Sequence, residues 1–335
     1  MFHRKTVKDR YPAQRREGVS LMRKFYLNVL LFIIVLFSVL IFVDFLSMRE
    51  PTRTILAELT DSTEYIAQDR GPDEIKPYLE RTHYPDGTTK LIIGDSVCRQ
   101  LFSHLQSRNT HIAMLGSNAG LTAAGQYIMA KEYLEHHPDT TDVFLLMLPK
   151  SLVRTFDTNW GYLYVVMPFV ETDTLKYLDQ ETIDCLGDVY GKLFLNPSVV
   201  QFIDRSPINR KIYLNMLKEH SEGYIPSNQL ELADQYVYKI YTMCKERNVA
   251  FHLYPCPVSE ASADKVQALR SDFEKSKIRE ISPDYLDMVT YYPAEQAGDG
   301  THFTGKYAND DNYDRLIKDI YAGTELYDML SFDEG

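Results

Sequence analysis

The chain has 335 residues, of which 44% are hydrophobic and 12% aromatic. This composition supports one large or two small globular domains and excludes a disordered or collagen-like chain. Four cysteines are too few to hold a fold of this length together by disulfides. The net charge of −11 argues against nucleic acid as a partner, because phosphate binding requires a basic face.

Positive charge is concentrated at the N-terminus. Residues 1–24 hold eight Lys/Arg against two Asp/Glu, a net +6, so the rest of the chain must carry −17 to reach the total of −11. Residues 25–43 follow without a charged side chain, and at about 1.5 Å per residue they span roughly 28 Å, close to the hydrocarbon thickness of a bilayer. A core helix is rarely apolar on every face, and residues 44–49 offer no convincing signal-peptide cleavage site. We therefore predict a transmembrane anchor at residues 25–45.

The basic residues also predict the orientation of the anchor. The positive-inside rule places residues 1–24 in the cytoplasm, so the protein is expected to be single-pass in the cytoplasmic membrane, with an extracytoplasmic domain. Residues 46–88 contain helix breakers such as Pro72 and Gly87, which predict a stalk or lead-in. Residues 324–335 are predicted to form a C-terminal tail.

Residues 89–323 alternate short apolar runs with segments of helical periodicity, interrupted by an irregular insertion at about 150–226. The predicted strands are 90–93, 111–115, 142–148, 249–254 and, at an edge, 287–292. The predicted helices are 97–106, 121–136, 228–248, 262–277 and 306–321. Strands that alternate with helices predict an α/β fold with a mostly parallel sheet covered on both faces.

The cysteines do not predict a metal site. Cys98, Cys185, Cys244 and Cys256 form no CxxC pair. Cys244 and Cys256 flank a helix-to-strand connection and could be neighbours, but the sequence leaves their pairing open. Without another ligand cluster, we predict neither a metal nor a cofactor.

The first candidate functional motif is Gly94-Asp95-Ser96, at the end of the first predicted strand. In doubly wound sheets, ligands bind beyond the carboxyl ends of the strands. A serine at the start of the following helix lies where free backbone N–H groups and the helix dipole favour negative charge. Ser96 is therefore either a nucleophile whose own N–H stabilises an oxyanion, or a plain helix N-cap.

Two later turns supply candidate partners for Ser96. Gly120 follows the second predicted strand, and its N–H could be a second oxyanion donor, although a glycine there also serves turn geometry and helix packing. Asp299 and His302 lie three residues apart in a loop before the last helix. His302 could act as general base for Ser96, with Asp299 orienting the imidazole.

Together these motifs resemble the SGNH (GDSL-type) hydrolase superfamily. The resemblance covers residues 89–321 and is carried by Gly94-Asp95-Ser96, by Gly120 within residues 119–125, and by Asp299-Gly-Thr-His302. It implies a flavodoxin-like three-layer αβα fold and an acyl-enzyme mechanism.

The resemblance also implies a role for each residue, with one departure. Ser96 would be the nucleophile, His302 the base, Asp299 the orienting carboxylate, and the N–H groups of Ser96 and Gly120 the oxyanion donors. The family's third motif places an Asn after the third strand, where this chain has Leu-Pro-Lys-Ser at 148–151. Loss of one such donor costs about 3–4 kcal/mol in comparable sites. The candidate substitutes are Lys150, Ser151 and Asn159.

The architecture resembles membrane-anchored proteins of polysaccharide O-acetylation and of teichoic acid D-alanylation, which work beside a multi-span membrane acyltransferase. The resemblance implies a serine acyl-ester hydrolase or O-acyltransferase acting on a cell-envelope glycan. Its partners would be an acylated glycan or acyl donor and a multi-span acyltransferase. Because the outer domain is acidic, a neutral glycan ester is favoured over a phosphorylated one. The alternative, suggested by the missing Asn, is a catalytically weak docking or glycan-binding subunit.

Overall fold

The structure is a computed structural model that describes residues 11–59, 75–117, 122–153, 166–204, 206, 208–209, 211–212 and 229–332. Contacts divide the chain into two compact units, one with the N-terminal helices and one with most of the remaining chain. The first unit follows from a long apolar run in the sequence. The second follows from alternating strands and helices.

The N-terminal unit begins with α1 (Tyr11–Ser47), followed by α2 (Thr52–Leu59). Within α1, Met22–Ser47 is 26 residues long, its most apolar 18-residue stretch has a mean hydropathy of 3.1, and its apolar side chains point outward. At about 1.5 Å per residue this segment reaches roughly 39 Å, more than the hydrocarbon core of a bilayer. It is the one helix among the described residues that is long and apolar enough to cross a membrane, as the sequence predicted.

The second unit is built on a parallel four-stranded sheet. Its strands are β1 (Lys90–Gly94), β2 (Ile112–Gly116), β3 (Asp142–Met147) and β4 (Ala250–Pro255). The strand order is β2-β1-β3-β4, and every neighbouring pair is parallel. Leu91, Ile92 and Ile93 are fully buried, so both faces of the sheet are covered at β1. A strand in such a sheet is therefore apolar at every position. The predicted α/β class with a parallel sheet is confirmed.

Most of the other regular structure in the described chain is helical. The remaining described helices are α3 (Ile75–Thr82), α4 (Ser96–Phe102), α5 (Thr122–His136), α6 (Pro149–Leu152), α7 (Met167–Glu171), α8 (Gln180–Tyr190), α9 (Pro197–Asp204), α10 (Gln229–Glu246), α11 (Ala263–Ala268), α12 (Arg270–Phe273), α13 (Ile278–Ile281), α14 (Asp310–Tyr321) and α15 (Glu325–Asp328). Helix α5 packs against α3 and α10, whereas α4 packs against β2 and α14. The predicted insertion at 150–226 contains α7 and α8, which follow β3 and precede α10 in the chain.

The predicted edge strand at 287–292 does not join the main sheet. Only Tyr291–Tyr292 (β6) is extended, and it pairs in parallel with Val258–Ser259 (β5) in a separate two-stranded sheet. Pro257 has no N–H to donate, so the ladder of β4 with β3 does not continue past Cys256, whose N–H donates to the Met147 carbonyl at 3.0 Å. In the chain, β5 follows directly after β4, and β6 comes shortly before the loop that carries His302.

Three predicted helices have different bounds in the structure. The helix predicted at 97–106 ends at Phe102 and continues as the 3₁₀ turn Ser103–Ser107. The one predicted at 262–277 is broken into α11 and α12. The one predicted at 306–321 starts only at Asp310, because the Asn309 side chain accepts the N–H of Asn312 and caps the helix there.

The predicted stalk and tail are both partly folded onto the α/β unit. Ile75 and Leu79 of α3 are buried, so the last part of the predicted stalk at 46–88 belongs to this unit. In the predicted tail at 324–335, Leu326 is buried and the Ser331 N–H donates to the Asn109 side chain at 2.7 Å. Burial of apolar side chains at these two ends removes them from water, an effect that their short sequence patterns do not reveal.

Two glycines allow α4 to lie close to the sheet. A Cβ at Gly94 would lie 1.9 Å from the carbonyl oxygen of Leu146, and one at Gly116 would lie 2.7 Å from the backbone nitrogen of Arg99. Neither position has room for a side chain. These close approaches fix the start of α4, and therefore Ser96, against the carboxyl end of β1.

We expect Gly94→Ala to lower the free energy of unfolding by about 3 kcal/mol, because its Cβ meets backbone that cannot move aside. Gly87→Ala is the matched control: it has positive φ but nothing within 4 Å, so only about 1–2 kcal/mol of backbone strain is expected. Denaturant unfolding of the full chain in detergent measures both. Equal losses would contradict the close packing of Gly94.

Candidate active site

Ser96 is the first residue of α4, and the residue before it caps the helix. The Asp95 side chain accepts the N–H groups of Val97 at 3.1 Å and Cys98 at 3.4 Å. Asp95 therefore accepts hydrogen bonds from N–H groups of the first turn of α4, and the N-cap of this helix is Asp95 and not Ser96. The hydroxyl and the N–H of Ser96 take no part in this cap.

The structure brings Ser96, His302 and Asp299 together. Ser96 Oγ lies 2.6 Å from His302 Nε2, and His302 Nδ1 lies 2.6 Å from Asp299 Oδ2. Because a carboxylate only accepts hydrogen bonds, Nδ1 carries the proton and Nε2 accepts from the serine hydroxyl. The result is a continuous hydrogen-bonded chain from serine to carboxylate between residues 206 positions apart.

Asp299 is held as a carboxylate by its own loop. Its Oδ1 accepts the N–H groups of Thr301 at 2.9 Å and His302 at 2.8 Å. Partial burial acts to raise the pKa of Asp299, but hydrogen bonds from the His302 side chain and from these two N–H groups lower it from 3.8 to about 2. The group that orients His302 is therefore charged at any physiological pH.

Two residues that the sequence analysis missed hold the His302 loop in place. The Gln100 side chain donates to the Phe303 carbonyl at 3.2 Å and accepts the Phe303 N–H at 3.1 Å. The Tyr292 hydroxyl donates to the Thr301 carbonyl at 2.6 Å. Gln100 lies one turn after Ser96 on the same face of α4, so the i, i+4 spacing was the available signal.

A buried network behind Ser96 centres on Asp95, which is only 1% exposed. Its Oδ2 accepts the Leu148 N–H at 2.7 Å and the Ser151 hydroxyl at 2.6 Å. The carboxylate thus links the end of β1 to the segment that follows β3. Since the Ser151 hydroxyl hydrogen is used in this bond, Ser151 does not replace the missing Asn as an oxyanion donor.

The other predicted oxyanion groups have different positions. Lys150 Nζ contacts the Thr301 hydroxyl in the His302 loop, so the lysine is next to the site. Gly120 and Asn159 lie outside the described residues. Of the two predicted N–H donors to the oxyanion, only that of Ser96 lies within the described residues, at the start of α4.

The cysteines do not contribute a nucleophile. All four are free thiols, so Cys244 and Cys256 are not bridged. Burial, with a further contribution from the Asp95 charge, raises the pKa of Cys98 and Cys256 well above the ordinary value. Both remain neutral thiols packed behind the serine.

The described residues contain no group of three or more His, Cys, Asp or Glu side chains placed to hold a metal ion. Comparison of the chain with protein-family models and with curated proteins found no match. The candidate activity of this site is therefore inferred from the geometry of Ser96, His302 and Asp299.

We expect Asp95→Asn to lower the free energy of unfolding by about 2–4 kcal/mol, because an amide cannot accept at both oxygen positions and leaves buried donors unpaired. Ser151→Ala removes only one of these bonds and should cost about 1–2 kcal/mol. Denaturant unfolding ranks the two variants. The reverse order would contradict the central place of Asp95.

The low pKa of Asp299 predicts a pH-dependent stability difference between the wild type and Asp299→Asn. A carboxyl group whose pKa falls to about 2 on folding contributes stability that is complete at neutral pH and is lost as the pH falls through about 2. The difference in unfolding free energy should therefore shrink by about half between pH 6 and pH 3. Measuring the same difference in a His302→Ala background is the control, where it should be smaller. A difference independent of pH in both backgrounds would contradict the assignment.

Proposed function

We propose that this chain is a membrane-anchored SGNH-type serine acyl-ester hydrolase or O-acyltransferase that acts on a glycan of the cell envelope. One observation carries the proposal: Ser96, His302 and Asp299 form a hydrogen-bonded chain with two 2.6 Å links. A nucleophile, a base and an orienting group in this arrangement recur in enzymes that use a serine nucleophile.

The first half of the reaction forms an acyl-enzyme. Ser96 Oγ attacks the acyl carbonyl carbon while His302 Nε2 takes the hydroxyl proton. The resulting imidazolium is stabilised through Nδ1–H by the charged Asp299. When the tetrahedral intermediate collapses, His302 returns the proton to the departing alkoxide and the acyl group stays on Ser96.

The second half removes the acyl group from Ser96. His302 takes a proton from an incoming hydroxyl, whose oxygen attacks the acyl carbon. The second tetrahedral intermediate then collapses, the bond from the acyl carbon to Ser96 Oγ breaks, and His302 returns the proton to Ser96. If the hydroxyl belongs to water the reaction is hydrolysis, and if it belongs to a sugar it is transfer. The two outcomes share every described residue and differ only in which acceptor reaches the site.

The oxyanion would be held first by the N–H of Ser96, which lies at the positive end of α4. Asp95 takes the next two N–H groups and thereby leaves the Ser96 N–H for the substrate. The resemblance assigns a second donor to Gly120. The place of the family's Asn is taken by a segment whose hydroxyl, on Ser151, bonds to Asp95.

The topology supports the finer fold proposal, a flavodoxin-like three-layer αβα domain of SGNH type. The strand order β2-β1-β3-β4 matches the first four strands of a flavodoxin-like sheet. The connection from β1 to β2 and the connection from β2 to β3 run in opposite directions, so right-handed crossovers put α4 and α5 on opposite faces. Ser96 then lies at the carboxyl edge, beside the point where the strand order reverses.

The apolar part of α1 supports a place at the membrane for this chemistry. We propose a single pass with the basic residues 1–24 in the cytoplasm, according to the positive-inside rule, and the α/β unit outside. An acyl donor would then be delivered by a multi-span acyltransferase in the same membrane.

A second candidate function is a docking or glycan-binding subunit that keeps the fold with little catalysis. The observation that favours it is the use of Ser151 by Asp95, which removes one of the candidate substitutes for the family's Asn. The two candidates differ in whether Ser96 is activated.

We expect a fluorophosphonate probe to form one covalent adduct with the full chain in detergent micelles, because it requires only an activated serine. Ser96→Ala should abolish the adduct, and His302→Ala should slow labelling by about a hundredfold or more, since the base is removed. Intact mass measures the adduct.

The matched control is Ser103→Ala, an exposed serine of the turn after α4 whose hydroxyl bonds to the Arg99 carbonyl. This variant should label as the wild type does. A folded wild-type chain without an adduct, or one that still labels after Ser96→Ala, would contradict the proposed enzyme and favour the docking function.

A further inference from the structure

A small cleft of about 30 Å³ lies beside the His302 loop. Its floor is apolar and is formed by residues after β3 and β4 and from α11, among them Leu148, Val258 and Val266. Gly300 and Thr301, the two residues between Asp299 and His302, line one side. A group bound here would therefore lie next to the triad and not at a remote surface.

One polar atom in this cleft has no partner in the protein. The Ser259 side chain lines the cleft and is only 1% exposed, yet its hydroxyl makes no hydrogen bond within the described structure. A buried polar atom without a partner destabilises the folded chain, so a ligand that bonds to it recovers free energy. The Ser259 hydroxyl is therefore free to donate a hydrogen bond to a bound group or to accept one from it.

The charged residues that line the cleft are both cations. Lys150 follows β3 and contacts the Thr301 hydroxyl, and Lys265 lies exposed on α11. No carboxylate is among the described lining residues. The lining side chains therefore carry a charge opposite in sign to the net charge of −11 of the whole chain, and the carboxylate of Asp299, next in the chain to Gly300, is hydrogen-bonded within its own loop. Two ammonium groups and a hydroxyl donor around one small cleft complement an anion.

From this arrangement we infer that the cleft is a subsite for a carboxylate, so the substrate is an ester of an acidic sugar. The inference rests on the proposed function, because the cleft matters for specificity only if Ser96 reacts. A volume of about 30 Å³ holds about two water-sized groups, which suits the two oxygens of a carboxylate. A carboxylate subsite replaces the preference for a neutral glycan ester that the net charge of the chain suggested.

The test is ligand-observed saturation-transfer NMR on the full chain in detergent micelles, with methyl β-D-glucuronide and methyl β-D-glucoside as a matched pair. These two probes differ in carrying a carboxylate or a hydroxymethyl group. The glucuronide should bind about threefold to tenfold more tightly, the range of one charge-assisted hydrogen bond. The preference should fall with added salt.

Two variants locate the preference in the cleft. Lys265→Gln and Ser259→Ala should each remove most of it; Lys265 is exposed, and Ser259→Ala removes only a hydroxyl that has no partner in the described structure. The matched control is Lys275→Gln, which removes the same charge from an exposed position outside the cleft and should keep the preference. Equal binding of the two sugars, no binding of either, or a preference unchanged in both cleft variants would overturn the inference.

Fluorophosphonate labelling of the same samples separates this inference from the proposed function. If Ser96 labels but the glucuronide has no preference, the carboxylate subsite is wrong and the enzyme stands. If the cleft binds the glucuronide but Ser96 does not label, the catalytic proposal is wrong and the subsite belongs to a glycan-binding protein.

Discussion

The buried carboxylate of Asp95 is the constraint on which the rest of the site depends. A charge that is 1% exposed is tolerated only when its oxygens are bonded, and here two N–H groups of α4, the Leu148 N–H and the Ser151 hydroxyl supply those bonds. These bonds join the start of α4 to the segment after β3. They fix the direction in which Ser96 leaves the sheet, and they also use the hydroxyl hydrogen of Ser151, which is therefore not available to an oxyanion.

Two aspartates at the site show how environment separates two roles of one residue type. Asp95 lies in the interior and acts as a structural acceptor for helix and strand. Asp299 lies on an exposed loop, where hydrogen bonds from His302 and Thr301 keep its pKa near 2 and orient the imidazole. The first holds Ser96 and the second holds His302. The distance between Ser96 and His302 depends on these bonds and on those from Gln100 and Tyr292 that hold the His302 loop.

The sequence predicted much of this site because its signals are local. A glycine that permits a close turn, a serine at a helix start, and an Asp-Gly-Thr-His loop each occupy a few consecutive residues. Gln100 and Tyr292 escaped prediction because their partners, Phe303 and Thr301, are backbone groups far along the chain. For the same reason the sequence could name Ser151 only as one candidate substitute for the family's Asn and could not identify Asp95 as its partner. Its side chain type suggested a donor, but only the packing of β1 against β3 showed which acceptor it meets.

By itself, the sequence determined the apolar helix, the four parallel strands and the identity of the three site residues, because these depend on hydropathy, periodicity and turn chemistry within short windows. The tertiary structure decided that the short strand at Tyr291–Tyr292 pairs outside the main sheet, that the segments before and after the domain fold onto it, and that lysines from two different segments meet at one cleft. These outcomes depend on contacts between residues distant in the chain, whose free energy appears only when the chain is compact.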